Sequence, residues 1–98
     1  MSYRQTILPD AQREYDDAIE WYAKQQKGLG KRFTAAVKQV LRRLRAMPNI
    51  HAIAAKDIRR ALVKDFPYVV LYRVIGDDVI VVSIFHTSRN PADWQSRV

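Results

Sequence analysis

Apolar residues recur along this chain first at helical spacing and then at strand spacing, and the change of period divides it in two. Tyr3 to Leu8 is a short run that ends in Ile7 and Leu8, which suits an edge strand. Pro9 follows, a residue tolerated at a helix's first turn because its missing N–H has no partner there anyway, and Asp10 complements the helix dipole. Ala11, Tyr15, Ala18, Ile19 and Tyr22 then fall on one helical face, with Glu14, Asp16, Asp17 and Glu20 on the opposite side. Gly28 and Gly30 predict a break. A second helix is expected from about Lys31 to Met47, with Phe33, Val37, Val40, Leu41, Leu44 and Met47 as its apolar stripe. Pro48-Asn49 ends it. A short glycine-containing link predicts an antiparallel helix hairpin.

Beyond Pro48 the pattern turns to strands. Ile58 to Val63 reads as one, Phe66-Pro67 interrupts, and Tyr68 to Ile75 and Val79 to Phe85 flank the turn residues Gly76-Asp77-Asp78. The expected order is β-α-α-β-β-β, an α+β architecture with the helix hairpin packed on one face of an antiparallel sheet. Residues 1–98 are read as one domain, because 98 residues hold one core and not two.

Composition narrows the classes of function. The chain has no cysteine, so disulfides and thiolate metal sites are excluded. Only two histidines are present, and neither a metal nor a cofactor is expected. No glycine-rich phosphate loop, His-x-x-x-His pair or Gly-x-Ser-x-Gly elbow occurs. The start of the chain lacks the apolar core of a signal peptide. The apolar runs are too short to span a bilayer. The expected location is the cytoplasm, with no membrane partner.

The formal charge of +7 is concentrated in the middle of the chain. Residues 28–64 hold ten Lys/Arg and only Asp57, whereas four Lys/Arg meet five acids before them and three Arg meet four Asp after them. That block predicts an anionic partner, either nucleic acid or an acidic protein segment. A solvated helix face would look the same.

Candidate chemistry gathers in two places. The tail HTSRNPADWQSR brings His86, Arg89, Pro91, Trp94 and Arg97 directly after the strongest strand, where side chains are well placed for binding or acid–base work. The structural alternative is a His86 bonded to backbone and a Trp94 capping the core beneath a short terminal helix. The second place is Arg59-Arg60, which strand alternation sends to opposite faces. Only one of them can face an open groove beside Arg73 or Arg89.

An Ala-x-x-x-Tyr helix carrying Trp21-Tyr22 leads to a basic helix ending at Pro48. Ile58-Arg59-Arg60, Phe66-Pro67-Tyr68, Tyr72-Arg73 and His86-x-x-Arg89-x-Pro91-x-x-Trp94 follow. This succession resembles the RelE/ParE toxin superfamily, also known as plasmid stabilisation proteins, over nearly the whole chain. The resemblance implies a toxin neutralised by a cognate antitoxin, small, acidic and partly disordered. Arg42 and Arg43 are candidates to meet that antitoxin.

The resemblance also implies one of two targets. RelE-like members cleave mRNA on the ribosome with a basic set on the sheet, whereas ParE-like members block DNA gyrase. Leu62 and Val69 stand where cleavage would want basic residues, and no C-terminal tyrosine is present. The reading taken is therefore ParE-like, with Arg59, Arg60, Arg89 and Trp94 as target-binding residues. The alternative is a ribosome-dependent endoribonuclease using His86, Arg89 and Arg60. A third reading is a non-toxic nucleic-acid-binding or scaffold domain.

Overall fold

The computed structural model describes residues 2–98. Its elements are β1 (Arg4–Ile7), α1 (Pro9–Gln25), α2 (Leu29–Ala46), a 3-10 turn (Pro48–Ile50), β2 (Ile53–Ala55), β3 (Ile58–Leu62), β4 (Tyr68–Ile75), β5 (Asp78–His86) and a one-turn α3 (Ala92–Gln95). Together they form an α+β fold, with a helix hairpin on one face of a five-stranded sheet. Strand order is β1-β5-β4-β3-β2.

The hairpin forms where the two stripes predict it. Gly28 adopts φ 82° between the helices, a left-handed conformation that costs glycine little. Tyr15, Ala18 and Tyr22 of α1 are buried with Phe33, Val37, Val40, Leu41 and Leu44 of α2. They cover the sheet's inner face, formed by Ala61, Val70, Tyr72, Val79, Val81 and Ile84. An aromatic knot closes one end of this core. Phe33 meets Tyr68 at 4.9 Å and Phe66 at 5.1 Å between ring centroids, in edge-on geometry that suits the ring quadrupoles.

Two features depart from the sequence expectation of an antiparallel β-α-α-β-β-β sheet. The β3, β4 and β5 ladders are antiparallel, but the edge strand β1 pairs with β5 in parallel, so the sheet is mixed. The helix hairpin separates β1 from the rest and returns the chain to the far side of the sheet, which makes a parallel pairing possible. Arg4 and Asp78 close that edge with an ion pair of 2.7 Å. The strand β2 falls in HAIAAKD, a stretch without strand periodicity. It pairs only with β3 and leaves its other edge free.

The outer face of the sheet has its own small core. Ile58, Val69, Leu71, Val82 and Phe85 gather there under Trp94. The chain thus folds back over the face opposite the hairpin, and a helix of four residues closes it. No helix among the described residues is long and apolar enough to cross a membrane.

Candidate functional site

Alternation along β3 and β4 decides which candidate side chains can meet. Arg59 lies opposite Tyr72 and Arg60 opposite Leu71, so the two arginines leave the strand on different faces. Arg59 turns toward the helix side. Its guanidinium donates to the carbonyls of Asn49 at 3.2 Å and His51 at 2.5 Å, tying the 3-10 turn to the sheet. Arg59, expected as a target-binding residue, thus commits one guanidinium nitrogen to backbone carbonyls of the turn that follows α2.

Arg60 stands on the outer face. It is exposed and forms no ion pair among the described residues. It borders a groove of about 510 Å³. Val69, Leu71 and Phe85 form the groove floor, Trp94 and Pro91 one wall, and Ile53 of β2 another. Arg73 also leaves this face but is paired with Asp57 at 3.0 Å.

Trp94 is 4% exposed. This fits the structural alternative, with the ring packed on the apolar outer face beside Val69, Leu71 and Phe85, although Trp94 also lines the groove. It shapes the groove wall from within.

His86 lies across the ladder from Tyr68, with ring centroids 5.1 Å apart. The pair opens into a smaller crevice of about 240 Å³ on the α1 side, with Glu14, Asp17, Trp21 and Arg89. The Ser88 backbone N–H donates to His86 Nδ1 at 3.1 Å, so the neutral ring carries its proton on Nε2. Burial pushes the Tyr68 phenol upward, with Tyr22 and Glu14 adding to the rise and Arg89 opposing it. The crevice thus brings a phenol, an imidazole and a guanidinium together, residue types that acid–base chemistry uses.

His86, Arg89 and Arg60 are therefore not one constellation. His86 and Arg89 share the crevice, whereas Arg60 looks into the groove on the other side of the sheet. Arg89 sits at the corner between the two. Its guanidinium lies 5.2 Å from the Phe85 ring centroid and pairs with Glu14 at 3.5 Å and Asp93 at 3.3 Å.

Arg42 and Arg43 are both exposed on α2. Past the end of that helix lie Met47, Ile50 and Ile53, each more than half exposed. Ile53 belongs to β2 itself, whose outer edge is free, and Met47 and Ile50 precede it in the chain. Among the described residues no three His, Asp or Glu side chains converge to hold a metal ion.

Glu14 is the residue that sequence reasoning missed. The sequence pattern puts it on the polar side of α1, but at i−3 and i+4 it flanks the buried Ala11 and Ala18. Its side chain is only 13% exposed and meets Arg89 and Arg97. Only the fold brings residue 14 to residues 89 and 97.

Comparison with known proteins bears on the family and the fold. The model of the family described as "ParE toxin of type II toxin-antitoxin system, parDE" matches residues 6–91. A solved structure entitled "Chromosomal ParDE TA system from P. aeruginosa" has the same fold, with a TM-score of 0.72 and 16% sequence identity. The similarity spans 89% of this chain and 98% of that one. No curated protein matches.

Proposed function

Because the chain belongs to the ParE toxin family of type II toxin–antitoxin systems, we propose that it acts in the cytoplasm by inhibiting DNA gyrase. A small, acidic, partly disordered antitoxin neutralises it. The observation that carries the target is the separation of Arg60 from His86. Ribonuclease chemistry at a 2′-hydroxyl needs a base, an acid and a cation around one phosphate. Here the basic residue of β3 and the histidine of β5 stand on opposite sides of the sheet. A protein surface, by contrast, can be gripped at both places. Arg60 above the groove and Arg89 at its corner are the contact residues in this reading, with Trp94 setting the shape between them. Arg is among the side chains that most often dominate interfaces.

The antitoxin reading rests on charge and on the free β2 edge. Arg42 and Arg43 attract an acidic segment. Met47, Ile50 and Ile53 offer apolar cover beside backbone groups able to accept an added strand.

A second reading has one observation in its favour. Tyr68, His86 and Arg89 line a single crevice, a reduced acid–base set that ribosome-dependent RNA cleavage could use without Arg60. One experiment separates the two readings. The purified protein is assayed side by side on gyrase supercoiling and on ribosome-bound mRNA. Inhibited supercoiling that weakens in an Arg60→Ala, Arg89→Ala double variant supports the gyrase reading. Cuts in mRNA that disappear in His86→Ala, with supercoiling untouched, replace it with the nuclease reading.

A further inference from the structure

Terminal segments fray unless something ties them down, and a helix of one turn cannot hold itself. Even so, Pro91, Trp94 and Gln95 of residues 89–97 line the groove, and Arg89 at the start of the segment lies over the ring of Phe85 in the groove floor. Trp94 fixes the depth of this segment but is a single anchor, about which the chain on either side could still swing. The second tie is Glu14. Its Oε1 accepts hydrogen bonds from Ser83 Oγ at 2.9 Å and from Arg97 at 3.3 Å, and its Oε2 faces Arg89 at 3.5 Å. Ser83 is fully buried within β5, so the carboxylate is fixed from the sheet side. Asp10 and Asp93 then share the two arginines from the outside, at 3.4 and 3.3 Å.

We infer that Glu14 is the positioning residue of the C-terminal segment. From one carboxylate on α1 it holds both ends of residues 89–97, and so keeps the groove wall and Arg89 in place before any partner arrives. The geometry supports a real tie over a decorative surface pair. Glu14 is largely out of solvent and Arg97 is three-quarters covered, so screening is weaker than between exposed charges. Both oxygens of the carboxylate are used, and its partners come from an element that leaves the sheet far along the chain. Preorganisation of this kind lowers the ordering cost of binding. Its consequence for toxicity rests on the gyrase reading above; the positioning itself does not.

The test compares Glu14→Gln, Arg97→Gln and their combination by backbone hydrogen exchange. The reporters are the amides of Trp94, Gln95 and Ser96, which close α3 onto Pro91 and Ala92. Glu14→Gln keeps an acceptor for Ser83 but removes the charge. Exchange at these three amides should rise about tenfold or more in either single variant, while β4 and β5 amides stay protected. The double variant should exchange more slowly than the product of the two single effects predicts, because the singles share the Glu14–Arg97 contact. Each single also loses a tie of its own, Glu14 to Arg89 and Arg97 to Asp10. Unchanged protection of residues 94–96 would overturn the inference. So would a rise spread equally through β4 and β5, or effects that multiply in the double variant. The same proteins are then assayed for inhibition of supercoiling. If the segment loosens and inhibition falls, both readings stand. If it loosens while a parent inhibition of gyrase persists undiminished, Glu14 remains the positioning residue and the tail is lost as a gyrase contact. If the parent never inhibits gyrase, the exchange result still decides the role of Glu14.

Discussion

The Tyr72 hydroxyl donates to the Pro48 carbonyl at 2.6 Å, joining the middle of β4 to the turn that ends α2. The residue is fully buried, and burial pushes its phenol up to about 12 against a small opposing effect of Arg59. Tyr72→Phe leaves the Pro48 carbonyl without its donor. The loss should be about 1–3 kcal/mol of stability, measured by urea unfolding at neutral pH. The raised phenol also sets a direction with pH. A group whose folded value lies above its unfolded value stabilises fully below the unfolded one. Stability should therefore fall as pH rises from the ordinary tyrosine range toward 12, and this component of the fall should vanish in Tyr72→Phe.

Leu41 is buried where the hairpin meets the sheet. Leu41→Ala should cost about 2–5 kcal/mol, as other large-to-small core changes do. A loss below about 0.5 kcal/mol in equilibrium unfolding would mean the helix hairpin does not pack as described.

Gly30 lies inside α2, close against α1. A Cβ there would meet the Ile19 carbonyl at 3.0 Å and the Ala23 Cβ at 3.1 Å. Gly30→Val should force the helices apart and cost about 1–3 kcal/mol, although glycine is intrinsically poor in a helix. A gain in melting temperature would show that the hairpin relaxes freely.

Reversing Arg42 and Arg43 to Glu should slow association with the acidic antitoxin and flatten its salt dependence, since steering acts mainly on the on-rate. Stopped-flow association at low and high salt checks this. An unchanged rate at low salt would remove the basic α2 face from the encounter.

Trp94→Ala should unseat the C-terminal segment and expose Phe85 and Leu71. A destabilisation of about 3–5 kcal/mol is expected, the range for a buried tryptophan. Denaturant unfolding measures it. A stable, folded variant that has lost only toxicity would return Trp94 to the role of a contact residue.

The periodicity of the sequence determined both long helices, their shared stripe and the β4–β5 hairpin, because each depends on near neighbours in the chain. Apolar residues at helical spacing must be buried together, and Gly76 at φ 58° starts the tight turn that a two-residue connection requires. The same local logic showed that Arg59 and Arg60 part company. It could not say which of them faces the groove. Strand β2 was illegible for a related reason: Ile53–Ala55 has no alternating pattern, and it is a strand only because β3 lies beside it. The parallel pairing of β1 likewise depends on where the hairpin returns the chain.

The candidate site was legible as residue types and illegible as an arrangement. His86 and Arg60 were named from the sequence as possible partners, yet pairing register sets them on opposite faces, and register is fixed by burial across the whole sheet. Trp94 was open between contact and core until the outer face, with Phe85, Leu71 and Val69 uncovered by either long helix, required something to close it. Glu14 left no trace in the sequence, because its meaning lies in Ser83, Arg89 and Arg97. A carboxylate flanking a helix's apolar stripe, as Glu14 flanks Ala11 and Ala18, is ordinary until the fold brings two arginines to it across most of the chain.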